Sequence, residues 1–430
     1  MHERKLPATL HFMLAARRSE LLGLEDLAQT CALVARISQL VHALQKERGF
    51  SNLYLCSAAT HLRPQLDSLS READHLEQEV RAALEQMDPN GLGAADKTRL
   101  FTRIAHALHH LDELPGLRRR IRERRISAQD ATAALVRLIG SLLAVVFEAA
   151  DSAVDPDITR CLVTLFNFMQ GKELAGQERA LGVTGFASGY FDPLQLERLS
   201  HLQECQERSF NTFCRFASPA SAERWQSLCA STSNQQACRL REIARSTHTG
   251  ARLDPQLGEL WFELHTQRID LMQDIESHLE QELLHCCQQG MQRIRRELHS
   301  HRRILENLTD MHSNAEQTRL FSVHSSDLGN PPDDGQSTYL ARSTLDLLLH
   351  QAQRLQAMQD ELRDTRQALE ERKLVERAKQ LLIRQQGLGE SEAYAWLRQA
   401  AMNQGLRIEE VAQRLLSSGA KLESLAPGQH

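Results

Sequence analysis

The sequence predicts an all-α protein, and three observations carry that expectation. Only 11 prolines interrupt the chain of 430 residues. Strand-like alternation of apolar and polar residues is nearly absent. Leu, Ala, Gln, Glu and Arg, all good helix formers, dominate the composition. The length exceeds what one simple core accommodates, so two or three domains are expected.

Long amphipathic stretches succeed one another to about residue 285, at 28–58, 66–87, 96–113, 127–150 and 157–181, with several more beyond. Ser127 with Asp130 three positions on reads as a capping box carrying Asp in place of Glu, and Asp155-Pro156 as a cap followed by proline at the first helical position. Helices this numerous with short connections pack as antiparallel bundles. The apolar run LIGSLLAVVFEAA from Leu138 reaches Glu148 too soon to span a bilayer, so it is expected to be a buried bundle helix with no membrane role.

Near residue 285 the character changes to a polar, basic helix, CCQQGMQRIRRELHSHRRILENL. This leads into HSSDLGNPPDDGQST at 324–338, the best linker in the chain by its Gly, Pro, Asp and Ser content. Leu348, Leu355, Leu362 and Leu369 then recur every seven residues on a helix expected over about 342–386, which predicts a coiled-coil dimer seam. Its companion core positions are mixed, Leu345 and Ala352 giving way to Gln359 and Arg366, so the seam is weak; chance leucine spacing on an ordinary helix is the alternative. The chain ends in helices broken at Gly387, Gly389 and Gly405, with Ala378, Leu382, Ala393, Leu397, Ala400, Ala401, Val411, Ala412 and Leu415 as a small, alanine-rich three-helix core. The expected domains are therefore 1–285, a connecting segment 286–341, and 342–430.

Several function classes lose support. A formal charge of −5 excludes a globally basic nucleic-acid coat protein but not a local RNA-contacting face. Nine cysteines without a CxxC pair or a secretory signal read as reduced thiols of a cytoplasmic protein. No nucleophile-base-orienter trio and no Gly-rich phosphate loop occurs, so an enzyme is not expected, nor a cofactor. His106, His109 and His110 have spacing compatible with metal ligation but lack a carboxylate or Cys set, and no metal is expected. The run Arg118 to Arg125 reads as a solvated face.

The most informative feature is a repeated setting for arginine. Glu47-Arg48-Gly49 lies within QKERGFSNLYLCS, and Glu178-Arg179-Ala180 within KELAGQERALG. Intervals of three and four residues through Leu33, Ile37, Leu40, Leu44, Arg48, Ser51 and Leu55 place Arg48 on the core stripe, where a guanidinium is costly unless paired. A salt bridge to a nearby Glu is the plain reading, and a two-arginine anion clamp is the other.

The C-terminal 60 residues resemble the ANTAR domain, the RNA-binding antitermination module, through Glu376-Arg-Ala378-Lys379, Ser391-Glu-Ala393, Leu397-Arg398, Ala400-Ala401-Met402 and Val411-Ala412. Gln380 departs from the pattern, where the family commonly has Gly. The N-terminal half resembles the NIT, or nitrate- and nitrite-sensing, domain through QKERGFSNLYLCS, KELAGQERALG and WFELHTQRIDLM at Trp261 to Met272. Together these are similar to the family of nitrate- and nitrite-responsive transcription antiterminators of bacterial nitrate assimilation.

The resemblance implies a nitrate or nitrite site between helices lined by Arg48 and Arg179, whose planar forks suit a planar oxyanion. Gly49 and Gly176 would admit close backbone approach, Ser51 would donate a hydroxyl, and Arg268 and Arg241 would complete the site. It further implies a homodimer whose tail binds leader mRNA carrying two small hairpins and favours antiterminator over terminator, touching the transcription machinery only indirectly. Lys379 is the first candidate RNA contact, with Arg372, Arg398 and Arg407 next. Composition offers no support, since residues 370–420 hold eight Lys or Arg against seven Asp or Glu. The alternative function is a helical signalling scaffold whose C-terminal module binds protein.

Overall fold

The computed structural model describes residues 8–56, 62–87, 97–153, 155–245, 253–254, 256–313 and 370–418, and every regular element among them is a helix. The first four are α1 (Ala8–Cys56), α2 (Arg63–Glu85), α3 (Thr98–Arg122) and α4 (Ala128–Ser152). A second group follows with α5 (Pro156–Ser188), α6 (Pro193–Phe216), α7 (Pro219–Ala230), α8 (Thr232–Arg245) and α9 (Gln256–Ser313). The C-terminal module holds α10 (370–386), α11 (Glu390–Gln404) and α12 (Ile408–Ser418).

The predicted caps are present. Ser127 Oγ accepts from the Asp130 amide at 3.0 Å, and Asp155 Oδ1 accepts from the Ile158 amide at 3.1 Å with Pro156 opening α5. Three helix boundaries differ from the sequence reading. α1 starts at Ala8 rather than near 28. α3 runs through Pro115 to Arg122 instead of stopping at 113, because the apolar face of Leu111, Leu114, Leu117 and Ile121 stays buried past the proline. α5 continues to Ser188 and is ended by Gly189 at φ 74°, the left-handed conformation that suits glycine. The polar, basic helix expected after 285 is the continuation of α9, which runs unbroken across that point.

α1 packs on α2, α4 and α9, and α5 on α6, α9 and α4, so the two groups share their longest helices at the centre. α9 lies antiparallel to both. Against α1 the rungs are Glu25 with Arg295 at 3.0 Å and Ser38 with Glu276 at 2.6 Å. Against α5 they are Asp157 with Arg293 at 3.9 Å, Lys172 with Glu276 at 2.8 Å and Arg179 with Thr266 at 2.9 Å. Lys172 and Glu276 are wholly buried, so this central seam holds polar groups that must be partnered inside the protein. Two stretches, Arg18–Cys56 and Ala128–Ser152, are long and apolar enough to cross a membrane, and both are mostly buried against neighbouring helices.

The alanine-rich core of the C-terminal module forms as expected, with Ala378, Leu382, Ala393, Leu397, Ala400, Ala401, Val411, Ala412 and Leu415 all buried. Gly387 and Gly405 turn the chain between its helices at φ 67° and 63°. The linker at 324–338 and the seam residues Leu348, Leu355, Leu362 and Leu369 lie outside the described residues.

Candidate anion site and docked C-terminal module

The two Glu-Arg motifs place their charges in opposite directions. Each glutamate faces an arginine on another helix. Glu47 receives Arg118 Nε and Nη2, both at 2.7 Å, and Ser70 Oγ at 2.7 Å. Glu178 receives Arg241 Nε at 2.7 Å and Nη2 at 2.6 Å, with Gln203 and Gln206 completing its shell at 2.7 and 2.8 Å. Burial alone would raise the Glu178 carboxyl, yet the Arg241 charge holds it well below the usual carboxylate range. Arg118, expected on a solvated face, is therefore buried, because Glu47 needs a bidentate partner there.

Each arginine turns inward to the contact of α1 with α5. Arg48 is 1% exposed, and its Nη1 is ion-paired with Glu173, whose Oε2 accepts from Gln45 at 2.9 Å. The plain salt-bridge reading thus holds for this arginine, although its Nε and Nη2 find no partner. Arg179 differs. Its Nη1 donates to Thr266 Oγ1 at 2.9 Å and its Nη2 to the Gln45 carbonyl at 3.3 Å, while its guanidinium lies 5.1 Å over the Phe262 ring. Among the described residues no carboxylate lies within ion-pairing distance of it. Burial, reinforced by the Arg48 charge, pushes the guanidinium down to about 10.

Two glycines make this crossing possible. The space a Cβ would take at Gly49 is filled by the Arg179 guanidinium, and that at Gly176 by Arg48 Nη2, so each arginine packs on the glycine of the other's helix. Ser51 Oγ is buried without a partner. Beside Gly49 lies a cavity of about 10 Å³ lined by Asn52, Leu53, Arg179, Ala180, Val183 and Phe262, room for roughly one water. A bound anion would require α1, α5 and α9 to part. Replacing Gly49 by alanine should displace the Arg179 fork and weaken anion binding while keeping the fold, since alanine is the better helix former by about 1 kcal/mol. Circular dichroism with nitrate calorimetry checks this, and a variant binding as tightly as the parent would sink it.

Arg241 and Arg268 do not line this cavity. Arg241 is held by Glu178, and Arg268 Nη1 donates to Gln206 at 3.2 Å and lies 4.0 Å from Glu178. Both arginines surround the buried charge of Glu178, a partner that nothing in the sequence pattern assigned to them. His106 and His110 pack edge to face at 4.6 Å on α3, and each of His109 and His110 faces Glu113.

The C-terminal module sits on α4, α5 and α6. Lys373 Nζ meets Asp151 at 2.6 Å and lies 5.7 Å from the Phe147 ring centre. Arg372 lies 5.0 Å over Phe166 and donates to Asn167 at 3.4 Å. Tyr394 packs on His201 at 4.9 Å with the Arg208 guanidinium 4.2 Å over its ring, and Arg398 pairs with Glu204 at 2.6 Å. Lys379 is 6% exposed, bonded to Glu376 at 3.0 Å, and borders the cleft between module and bundles. Of the four candidate RNA-contacting residues, Arg372, Lys379 and Arg398 face the sensor bundles or the cleft beside them, and Arg407 is exposed.

Known proteins fit this geometry. Residues 39–284 match the family model NIT, nitrate and nitrite sensing, and residues 363–416 match the ANTAR domain. The nitrate regulatory protein of Klebsiella oxytoca is 34% identical over 416 residues, covering 96% of this chain and 95% of that protein. The solved structure of the NasR transcription antiterminator superimposes with a TM-score of 0.59 at 31% identity, covering 96% of this chain and 100% of that one. A bundle sensor with a buried arginine pair, carrying a small helical effector, is the class these features define. The chain belongs to the family of nitrate- and nitrite-sensing regulators that join a NIT domain to an ANTAR domain.

Proposed function

We propose that this protein is a nitrate- or nitrite-responsive transcription antiterminator in which anion binding between α1 and α5 releases the C-terminal module to bind a leader RNA. The observation carrying this reading is Arg179, a buried cation with neutral partners only among the described residues, beside an Arg48 with two idle donors. A buried charge without a counter-ion is costly, and a planar oxyanion supplies the missing one. Glu173 holds Arg48 in the empty state and yields to the ligand. The docked module supports the second half, since Arg372, Lys373 and Lys379 are turned toward the sensor or the cleft beside it, where phosphates reach them poorly.

The anion acts through differential affinity for the parted and closed arrangements of the three helices. Release exposes Arg372, Lys379 and Arg398 to a transcript with two small hairpins, and dimerisation through Leu348, Leu355, Leu362 and Leu369 presents two modules together. Calorimetry should find one anion per chain, and Arg48→Lys should bind weakly because an ammonium keeps the charge but loses the fork. Undiminished affinity in that variant would remove Arg48 from the site. Replacing Leu355 and Leu362 by Asp should convert a segment 342–430 from dimer to monomer in sedimentation; a persistent dimer would place the seam elsewhere.

A further inference from the structure

α9 carries adjacent cysteines, Cys286 and Cys287, at the point where it crosses both α1 and α5. Neighbouring positions on a helix project about 100° apart, so the two thiols meet different helices. Cys287 lies beside Cys31 of α1, and Cys286 beside Cys161 of α5. Both pairs fall in register with the antiparallel rungs around them: Glu25 with Arg295 and Ser38 with Glu276 on one side, Asp157 with Arg293 and Lys172 with Glu276 on the other. The juxtaposition therefore follows from how the helices are fastened and not from one rotamer.

The two pairs differ in access. Cys31 and Cys287 are sealed at 0% and 3% exposure, whereas Cys161 and Cys286 are both partly exposed. They differ also in how the proton is shared. The adjoining Cys286 thiol, helped by the nearby Arg160 charge, shifts the Cys161 thiol down, while the same neighbour and burial push Cys286 up. The Arg160 charge favours a thiolate at Cys161, with Cys286 beside it, which is the arrangement of an attacking and a resolving cysteine.

We propose that Cys161 and Cys286 are an oxidation site at which a hydroperoxide forms a disulfide that fastens α5 to α9. The Cys161 thiolate attacks the terminal peroxide oxygen; the O–O bond breaks, Cys161 becomes a sulfenic acid, and the leaving oxygen takes a proton to depart as water or alcohol. The Cys286 sulfur then attacks the sulfenic sulfur, the S–S bond forms, and the hydroxyl leaves with the Cys286 proton as a second water. Two thiols lose two electrons, and the peroxide gains them. α5 bears Arg179 while α9 bears Thr266 and Phe262, so the bond ties together helices that must part for an anion to enter. This consequence rests on the proposed anion site; the oxidation itself does not.

The test uses the reduced full chain, treated with one equivalent of hydrogen peroxide, alkylated and digested without reduction. The expected product links the peptide beginning at Cys161 to the peptide holding Cys286, survives Cys287→Ser, and is absent in Cys161→Ser. In Cys286→Ser a dimedone-reactive sulfenic acid should accumulate on Cys161. Absence of that link, or a link that needs Cys287, overturns the site. Calorimetry should show nitrate affinity lowered by about tenfold or more in the oxidised protein, within the usual range of coupling between sites, and restored by dithiothreitol. A linked protein with unchanged affinity overturns the fastening role. If the reduced protein itself binds no nitrate, the anion-site reading fails, and the linked peptide still decides whether the thiols react.

Discussion

Replacing Arg179 by methionine should abolish nitrate binding and, in the same variant, stabilise the nitrate-free protein. The guanidinium is buried between α1, α5 and α9, has no carboxylate partner among the described residues, and lies close enough to Arg48 to be pushed down in part by its charge. Its bonds to Thr266 and the Gln45 carbonyl compensate only part of the desolvation. An apolar side chain of similar length removes that cost, so stability should rise by roughly 1–2 kcal/mol, toward the low end for buried ionic groups replaced by hydrophobic ones. Charge-assisted hydrogen bonds to the anion are each worth about 1.5–3 kcal/mol, so losing two of them lowers affinity by about 100-fold or more. Thermal unfolding and calorimetry on one preparation check both halves. A destabilised variant that still binds nitrate would mean that Arg179 is a structural residue.

Reversing charge on the sensor face of the docking surface should make RNA binding independent of nitrate. Asp151→Lys would set two ammonium groups against each other at a contact where Lys373 is only 9% exposed, and Glu204→Lys would do the same opposite Arg398. The first carries most of the effect, because the Arg398 pair is about half exposed and such pairs contribute little. Leader-RNA affinity of the nitrate-free double variant should rise by about tenfold or more, since truncating or reversing a buried charge pair costs several kcal/mol. Coupling is reciprocal, so the same variant should bind nitrate more tightly than the parent. Filter binding at fixed salt, with calorimetry beside it, measures both; RNA affinity equal to that of the nitrate-free parent would show that docking does not restrain the module.

Much of this was legible in the sequence for physical reasons. The caps at Ser127 and Asp155, the buried stripe through Arg48 and the alanine-rich terminal core follow from local spacing, and the structure places them as expected. Arg48 and Arg179 were found together because the same dipeptide recurs in two helices. Their surroundings were not legible in the same way. Glu47 and Glu178 are neutralised from residues 71 and 63 positions away, which no periodicity marks. For that reason Arg118 read as solvated, and the contacts of Arg241 and Arg268 with Glu178 went unforeseen. Pro115 suggested an end to α3, but burial of the following turns outweighs the local cost. The docking of Lys373 on Asp151 joins segments 222 residues apart and leaves no trace in either.

The central claim, that an anion in the bundle governs RNA access at the module, is tested most directly by titrating nitrate into the full-length protein while measuring its binding to a two-hairpin leader RNA. Driving a switch from 1 to 99% active takes about 5.5 kcal/mol of differential affinity, more than one small anion is expected to supply, so the rise should be partial and larger in the dimer. RNA affinity should climb with nitrate, with a midpoint matching the calorimetric Kd, and should stay low at every nitrate concentration in Arg179→Met. RNA affinity unchanged by nitrate, or a nitrate-free full chain binding as tightly as the segment 342–430 alone, would contradict it.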